Sequence, residues 1–463
     1  MLSKDIDFAL VGHNYITFLL SLGLLKRGKK VLILDDDRFN YGEFFTNSLT
    51  LLDVEFLKVW GESSDILPLK NIDQYLVAES IYVSIGKKQL VLGDSPFRNY
   101  RELTRKFPNL FLNENSGSLI FEQEVQTFNQ RYEEFCKTVS QNIYNENKTY
   151  KISKMFESAI PENLTLQFQN FFNFFDSKDD MNEALKAEFN TFVYTMRGFF
   201  QSRLSTTGSR SEIMHLFFSL LSPYYKLDHE RLIQDLLKVH QELGGEFKKL
   251  NLADLKLQRG LVKSFELNSF EGLIRPKKMA FIGGYPVDLP IKLKTSTTSY
   301  NCLNVKIKFI RELPNLIQDK KLIFSSPLKI GTDRPFFEVF FKNNRAQFNI
   351  IITKREASKV SFIESRVVQT LKEDLQFLYP EFSFDIDDVE INYTLDVFLE
   401  DRDFDAHKKL EKSLGKKIVE VLSSSAPLMF TRLKNVLYFG PYNETALGTF
   451  SSLIDIKKWR EGL

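Results

Sequence analysis

The residues best placed to do chemistry sit near the start of the chain: Gly12, His13, Asn14 and Thr17, and then Asp35. Phe8, Ala9, Leu10 and Val11 form a short apolar run that stops at Gly12. A helical pattern through Ile16, Leu19, Leu20, Leu22 and Leu24 follows and ends at Lys26-Arg27-Gly28. A second buried-strand pattern, Val31-Leu32-Ile33-Leu34, closes on Asp35-Asp36-Asp37. Strand, glycine turn, helix, glycine stop, strand and acid is the layout of a dinucleotide-binding βαβ unit. In such a unit the turn lets backbone N–H groups at the helix N-terminus meet a pyrophosphate, and the acid bonds a ribose hydroxyl. Only the turn glycine, Gly12, is in place. Asn14 stands where a second glycine would admit the ligand, and Thr17 where a third would let helix and strand pack closely. Asparagine tolerates positive φ better than most residues, so the turn can survive. His13 sits in the same turn, where an imidazole could reach a phosphate.

Other catalytic constellations are missing from the sequence. It contains no His-Glu-x-x-His, no nucleophile elbow and no phosphate-cradling glycine loop of the P-loop kind. His13, His215, His229, His240 and His407 are scattered. The acidic residues between 373 and 405 read as solvated surface, since no His or Cys accompanies them at ligand spacing, and no metal is expected. Cys136 and Cys302 cannot make a disulfide framework or a cysteine zinc site, so a reducing, cytoplasmic setting is expected.

The elements that must position the turn belong to a large chain. At 463 residues it exceeds the ~250–300 at which single cores stop growing, so two or three lobes are expected. With 62 basic and 60 acidic residues, nothing points to nucleic acid. No signal peptide is evident, and no window approaches the ~20 apolar residues of a membrane span. The 44 phenylalanines call for unusually large apolar surfaces. Phe121, Val125, Phe128, Tyr132, Phe135 and Val139 predict one face of a long helix. Leu164, Phe168, Phe171, Phe172 and Phe175 predict a second, and Phe189, Phe192, Val193, Met196, Phe199 and Phe200 a third. Such helices can pack on one another, or their rings can line a tunnel for a long apolar ligand or meet a membrane surface.

Elsewhere the patterns alternate. Residues 81–85 and 89–92 read as a hairpin joined by Gly86-Lys87-Lys88, before a helical pattern over 100–107. Leu232, Leu236, Leu237, Val239 and Leu243 predict a helix face stopped by Gly244-Gly245, with a strand from Glu246. A hairpin turning near Arg259-Gly260 and a strand over 278–282 follow. Extended runs at 321–324, 336–341 and 348–352 suggest a mixed or antiparallel sheet. A helix over 361–378 with Val368, Leu371, Leu375 and Leu378 on one face comes next. Asn435 to Gly440 then reads as a last strand meeting a glycine, and Gly448-Thr449 opens a helix.

The first forty-odd residues resemble the FAD-binding N-terminus shared by phytoene desaturases, flavin amine oxidases and the Rab GDP-dissociation inhibitors. The carriers are the turn at Gly12, Asp35 at the acid's place, and Tyr41-Gly42-Glu43, close to the inhibitors' Tyr-Gly-Gly-Glu turn. The segment from Arg231 to Gly284 is similar to that group's return into the nucleotide domain. The resemblance implies an α/β fold: a three-layer, Rossmann-like FAD/NAD(P)-binding domain with an inserted mixed-sheet plus helical substrate domain. It apportions the chain as nucleotide-binding over 1–75, 226–290 and 426–463, and as substrate lobe over 76–225 and 291–425. It implies FAD along Gly12, His13, Asn14, Thr17, Asp35, Gly42, Gly440, Gly448 and Thr449. Where that group has an Asp bonding the flavin's ribityl side, this chain has Pro441, which offers neither carboxylate nor N–H. Two functions are expected from the resemblance. One is an FAD-dependent oxidoreductase acting on a bulky or long apolar substrate, which needs no dedicated side-chain acid because the flavin carries the chemistry. The other is a flavin-free lipid- or protein-binding module, with an apolar small molecule, lipid or partner protein as ligand and peripheral membrane contact within reach.

Overall fold

The fold is taken from a computed structural model, which describes residues 2–36, 48–85, 88–108, 122–145, 210–249, 251–267, 272–282, 298–315, 321–325, 336–353, 379–399 and 433–439, with scattered positions between. The first part of the chain runs β1 (Leu2–Val11), α1 (Tyr15–Leu25), β2 (Val31–Leu34), β3 (Ser48–Thr50), α2 (Leu51–Ser64), β4 (Leu76–Glu79), β5 (Ile81–Ile85), β6 (Lys88–Leu92), α3 (Pro96–Lys106) and α4 (Glu122–Asn145). The middle holds α5 (Arg210–Leu221), β7 (Tyr224–Leu227), α6 (His229–Glu242), β8 (Glu246–Lys248), β9 (Leu252–Gln258), β10 (Leu261–Leu267) and β11 (Gly272–Ile282). The remainder is β12 (Thr298–Phe309), β13 (Lys321–Ser325), β14 (Phe336–Lys342), β15 (Arg345–Thr353), β16 (Ile386–Leu399), β17 (Met429–Phe430) and β18 (Val436–Phe439).

The sheet that organises the molecule has the order β17-β18-β11-β1-β2-β8, with the β9–β10 hairpin attached to β11. β1 pairs in parallel with both β2 and β11, β2 with β8, and β11 with β18. Parallel strands need covered faces, and β2 is buried at all four positions. The covering element is α1, whose eleven residues are all buried. An apolar run with no polar stripe belongs to a helix enclosed on all sides. The outer enclosure is α6, tied to α1 where the Ser21 hydroxyl meets His240 Nδ1 at 2.7 Å. Strands from both ends of the chain thus share one sheet, β18 lying one strand away from β1.

A seven-stranded sheet, β16-β12-β15-β14-β13-β5-β6, forms the second body among the described residues. It is antiparallel except where β13 runs parallel to β5, which makes it a mixed sheet. Val305, Ile307, Phe309, Val339, Phe341 and Ala346 fill one face, with Leu375 of a following helical stretch packed on them. A small third sheet has the order β3-β7-β4. The aromatic surplus is visible as core. Phe135 and Phe218 stack at 4.1 Å, and Phe156, Phe168, Phe171 and Phe217 are buried around them. Burying each such ring removes roughly 150–250 Å² from water. The described rings of the helical stretch therefore hold helices together. Phe172, Phe175 and the face over 189–200 lie outside the described residues.

Several elements depart from the predicted boundaries. β6 starts one residue earlier than predicted, because Lys88 already pairs with Ile85 of β5, while Gly86 and Lys87 lie outside the described residues. α3 begins at Pro96, where a fixed φ and a missing N–H suit a first helical position. On α6 the buried face includes His240, whereas Leu243 lies beyond the helix and is exposed. β12 has no counterpart in the sequence reading.

Candidate functional site

The parallel strands β8, β2, β1, β11 and β18 all end at the same edge of the sheet, at Lys248, Leu34, Val11, Ile282 and Phe439. In an open α/β sheet a ligand binds outside these carboxyl ends, at the point where the strand order reverses. Here the order reverses between β1, which continues to β2, and β11 on its other side. Gly12 occupies that point with φ +140°. A Cβ there would stand 2.3 Å from the Ile282 carbonyl oxygen, so the glycine is required by the close approach of β11 as well as by its backbone angle.

Asn14 is the N-cap of α1, and all of its side chain is engaged. Its Oδ1 accepts the Thr17 backbone N–H at 3.0 Å and the Thr17 hydroxyl at 3.1 Å. Its Nδ2 donates to the Ile282 carbonyl at 3.0 Å. The cap is worth ~1 kcal/mol. The second bond straps the turn across the point of reversal to a residue 268 positions away. Asn14 is 1% exposed and Thr17 fully buried. One of the free N–H groups at the N-terminus of α1, that of Thr17, is thus satisfied from within.

On the other side of the turn His13 lies against Asp35, with Nδ1 3.2 Å from Oδ2. Asp35 is 2% exposed, and its backbone N–H donates to the Lys248 carbonyl at 2.9 Å. The imidazole also packs 5.4 Å from the Phe247 ring of β8 and 6.0 Å from Phe18 of α1. The carboxylate that would bond a ribose faces a side chain of its own turn. The neighbouring Asp36 is committed to the fold, accepting the Leu252 N–H at 2.8 Å.

One residue further on lies a polar junction that the sequence reading missed. Tyr15 opens α1, His229 opens α6, and their rings sit 5.4 Å apart. Asp53, in the first turn of α2, acts on the Tyr15 phenol and accepts the Thr50 N–H at 2.8 Å and hydroxyl at 2.6 Å. Burial pushes the Asp53 carboxyl up to about 6 against these bonds, and raises the Tyr15 phenol further still. Burial also lowers His229 to about 4, and neither of its ring nitrogens has a hydrogen-bond partner among the described residues. The signal was present in the sequence as Thr50-x-x-Asp53 before an apolar run, the pattern of a capping box.

Gly12, His13, Asn14, Thr17 and Asp35 are therefore brought together. Gly42, Gly440, Pro441, Gly448 and Thr449 lie outside the described residues, although β18 delivers the chain to Phe439 at the correct edge. The residues present do not fit the adenosine and pyrophosphate half of FAD as arranged, because His13 covers Asp35 and Asn14 straps the turn. Among the described residues no group of His, Cys, Asp or Glu could hold a metal ion, and no helix is long and apolar enough to cross a membrane.

The chain matches no protein-family model and no curated protein. Among solved structures it is similar to a Rab GDI from Plasmodium falciparum, with 13% identity, 99% of this chain and 98% of that one covered, and a TM-score of 0.47. It is also similar to a geranylgeranyl bacteriochlorophyll reductase-like protein from Thermoplasma acidophilum, at 9% identity, 99% and 78% coverage and a TM-score of 0.45. A p-nitrophenol 4-monooxygenase from Pseudomonas putida gives 10% identity, 99% and 79% coverage and a TM-score of 0.45. By its own strand order and its β1–α1–β2 turn, the chain is an α/β protein with a Rossmann-like sheet joined to a second, mixed sheet.

Proposed function

We propose that this protein is a flavin-free binding module built on the scaffold of a dinucleotide oxidoreductase. The observation that carries the reading is the strap from Asn14 to Ile282, which ties the ligand-facing turn to β11 at the point where the strand order reverses. A site evolved to admit a pyrophosphate keeps that turn open and its N–H groups unengaged. The ligand this reading implies is an apolar small molecule, a lipid or a partner protein. A second reading, an FAD-dependent oxidoreductase acting on a bulky apolar substrate, is favoured by Gly12 at φ +140° and by an acid at the end of β2.

The absorption spectrum of the purified protein separates the two. The binding module is colourless and stays so after incubation with excess FAD and removal of the unbound flavin. A yellow preparation that releases FAD on denaturation establishes the oxidoreductase instead.

A further inference from the structure

The wall beside the turn has the makings of a nucleoside seat. Asp35 offers a buried carboxylate at the end of β2, and Phe247 on the adjacent β8 offers an aromatic face. A vicinal diol paired to the acid and a purine laid against the ring is the chemistry such a pair recognises. The imidazole of His13 stands beside both, with Nδ1 3.2 Å from the carboxylate and the ring centroid 5.4 Å from that of Phe247. The Phe18 ring lies edge-on to the same imidazole, 6.0 Å away.

We propose that His13 is a built-in stopper that makes the Asp35 contact a ribose hydroxyl would make, and so sets what the sheet edge can bind. The chemical class excluded by it is the adenine nucleoside. The proposal rests on the flavin-free reading and deepens it, because it names the residue that closes the adenosine half of the site. Asn14 straps the helix turn to Ile282 independently of His13. Removing the imidazole alone therefore opens a nucleoside seat without restoring a place for a dinucleotide.

The test is calorimetric titration of the wild type, His13→Ala and His13→Ser with adenosine, 2′-deoxyadenosine and FAD, with thermal unfolding recorded for each protein. Both variants should bind adenosine at least about tenfold more tightly than the wild type, a difference of ~1.4 kcal/mol. They should also prefer it over 2′-deoxyadenosine, which lacks a hydroxyl for Asp35. Folded variants that bind adenosine no better than the wild type overturn the stopper and leave the flavin-free reading standing. FAD bound by the wild type overturns both. A measurement on the full-length side chain guards against variants that do not fold. The imidazole ¹⁵N shifts of His13 should move on Asp35→Asn, and unchanged shifts overturn the proposal.

Discussion

The turn after β1 and the junction that begins one residue later treat buried polarity in opposite ways. At the turn, Asn14 meets the Thr17 amide, the Thr17 hydroxyl and the Ile282 carbonyl, while His13 meets Asp35. At the junction, Asp53 is satisfied by Thr50 yet raised by burial, and His229 holds two ring nitrogens away from any partner among the described residues. Polar groups at a ligand site normally await a guest, and those in a core are normally paired. Here the expected ligand site is closed on itself and the neighbouring core is the place under tension. Residue type alone therefore does not tell a site from a core; the partners of each atom do.

Three substitutions break or sharpen that contrast. The largest effect is expected from Gly12→Ala. An alanine must adopt φ +140° and its Cβ must displace the Ile282 carbonyl, so unfolding free energy should fall by about 3 kcal/mol or more in denaturant titration. Asn14→Ala should cost about 2 kcal/mol by the same measurement, combining a lost N-cap with an orphaned carbonyl at Ile282. A loss below a few tenths of a kcal/mol would mean that the strap is not formed.

His229→Phe should act in the other direction. A ring of similar shape replaces two nitrogens that have no partner among the described residues, and stability should rise by about 1 kcal/mol at neutral pH. The pH dependence gives a sharper sign. His229 is lowered from 6.5 to about 4 in the fold, so the unfolded chain binds the extra proton first. Its contribution is present above pH 6.5 and is lost as pH falls toward 4. The advantage of His229→Phe should accordingly widen between pH 7 and pH 5, and a constant gap would place the imidazole in water. His215, lowered by burial to about 3, keeps its own share of acid sensitivity in that variant.

The β1–α1–β2 unit was legible because its apolar runs are strong and its punctuation is local. The hairpin turning at Arg259-Gly260 was legible for the same reason, and β9 and β10 flank that pair. The fate of Asn14 was not legible. Its partner at Ile282 is brought near by sheet formation, and no spacing along the chain announces a contact between strands of different segments. β12 escaped notice because its alternation begins with Thr298, Ser299, Tyr300 and Asn301, and its apolar register, Val305, Ile307 and Phe309, shows only beyond them. Along the sequence His240 is one more scattered histidine. It faces inward because α1 and α6 dock at Ser21, a contact neither helix signals alone.

That imidazole has a further consequence. The Glu246 carbonyl, 3.0 Å from Nε2, can only accept, so the proton sits on Nε2 and Nδ1 receives the Ser21 hydroxyl. One ring thereby indexes three pieces at once: the helix under the turn, the helix above it, and the first residue of β8. Phe247 follows immediately, so the wall behind His13 keeps station with α1 and cannot tilt by itself. A change at Ser21, remote from the sheet edge, would be felt there as a shifted aromatic face.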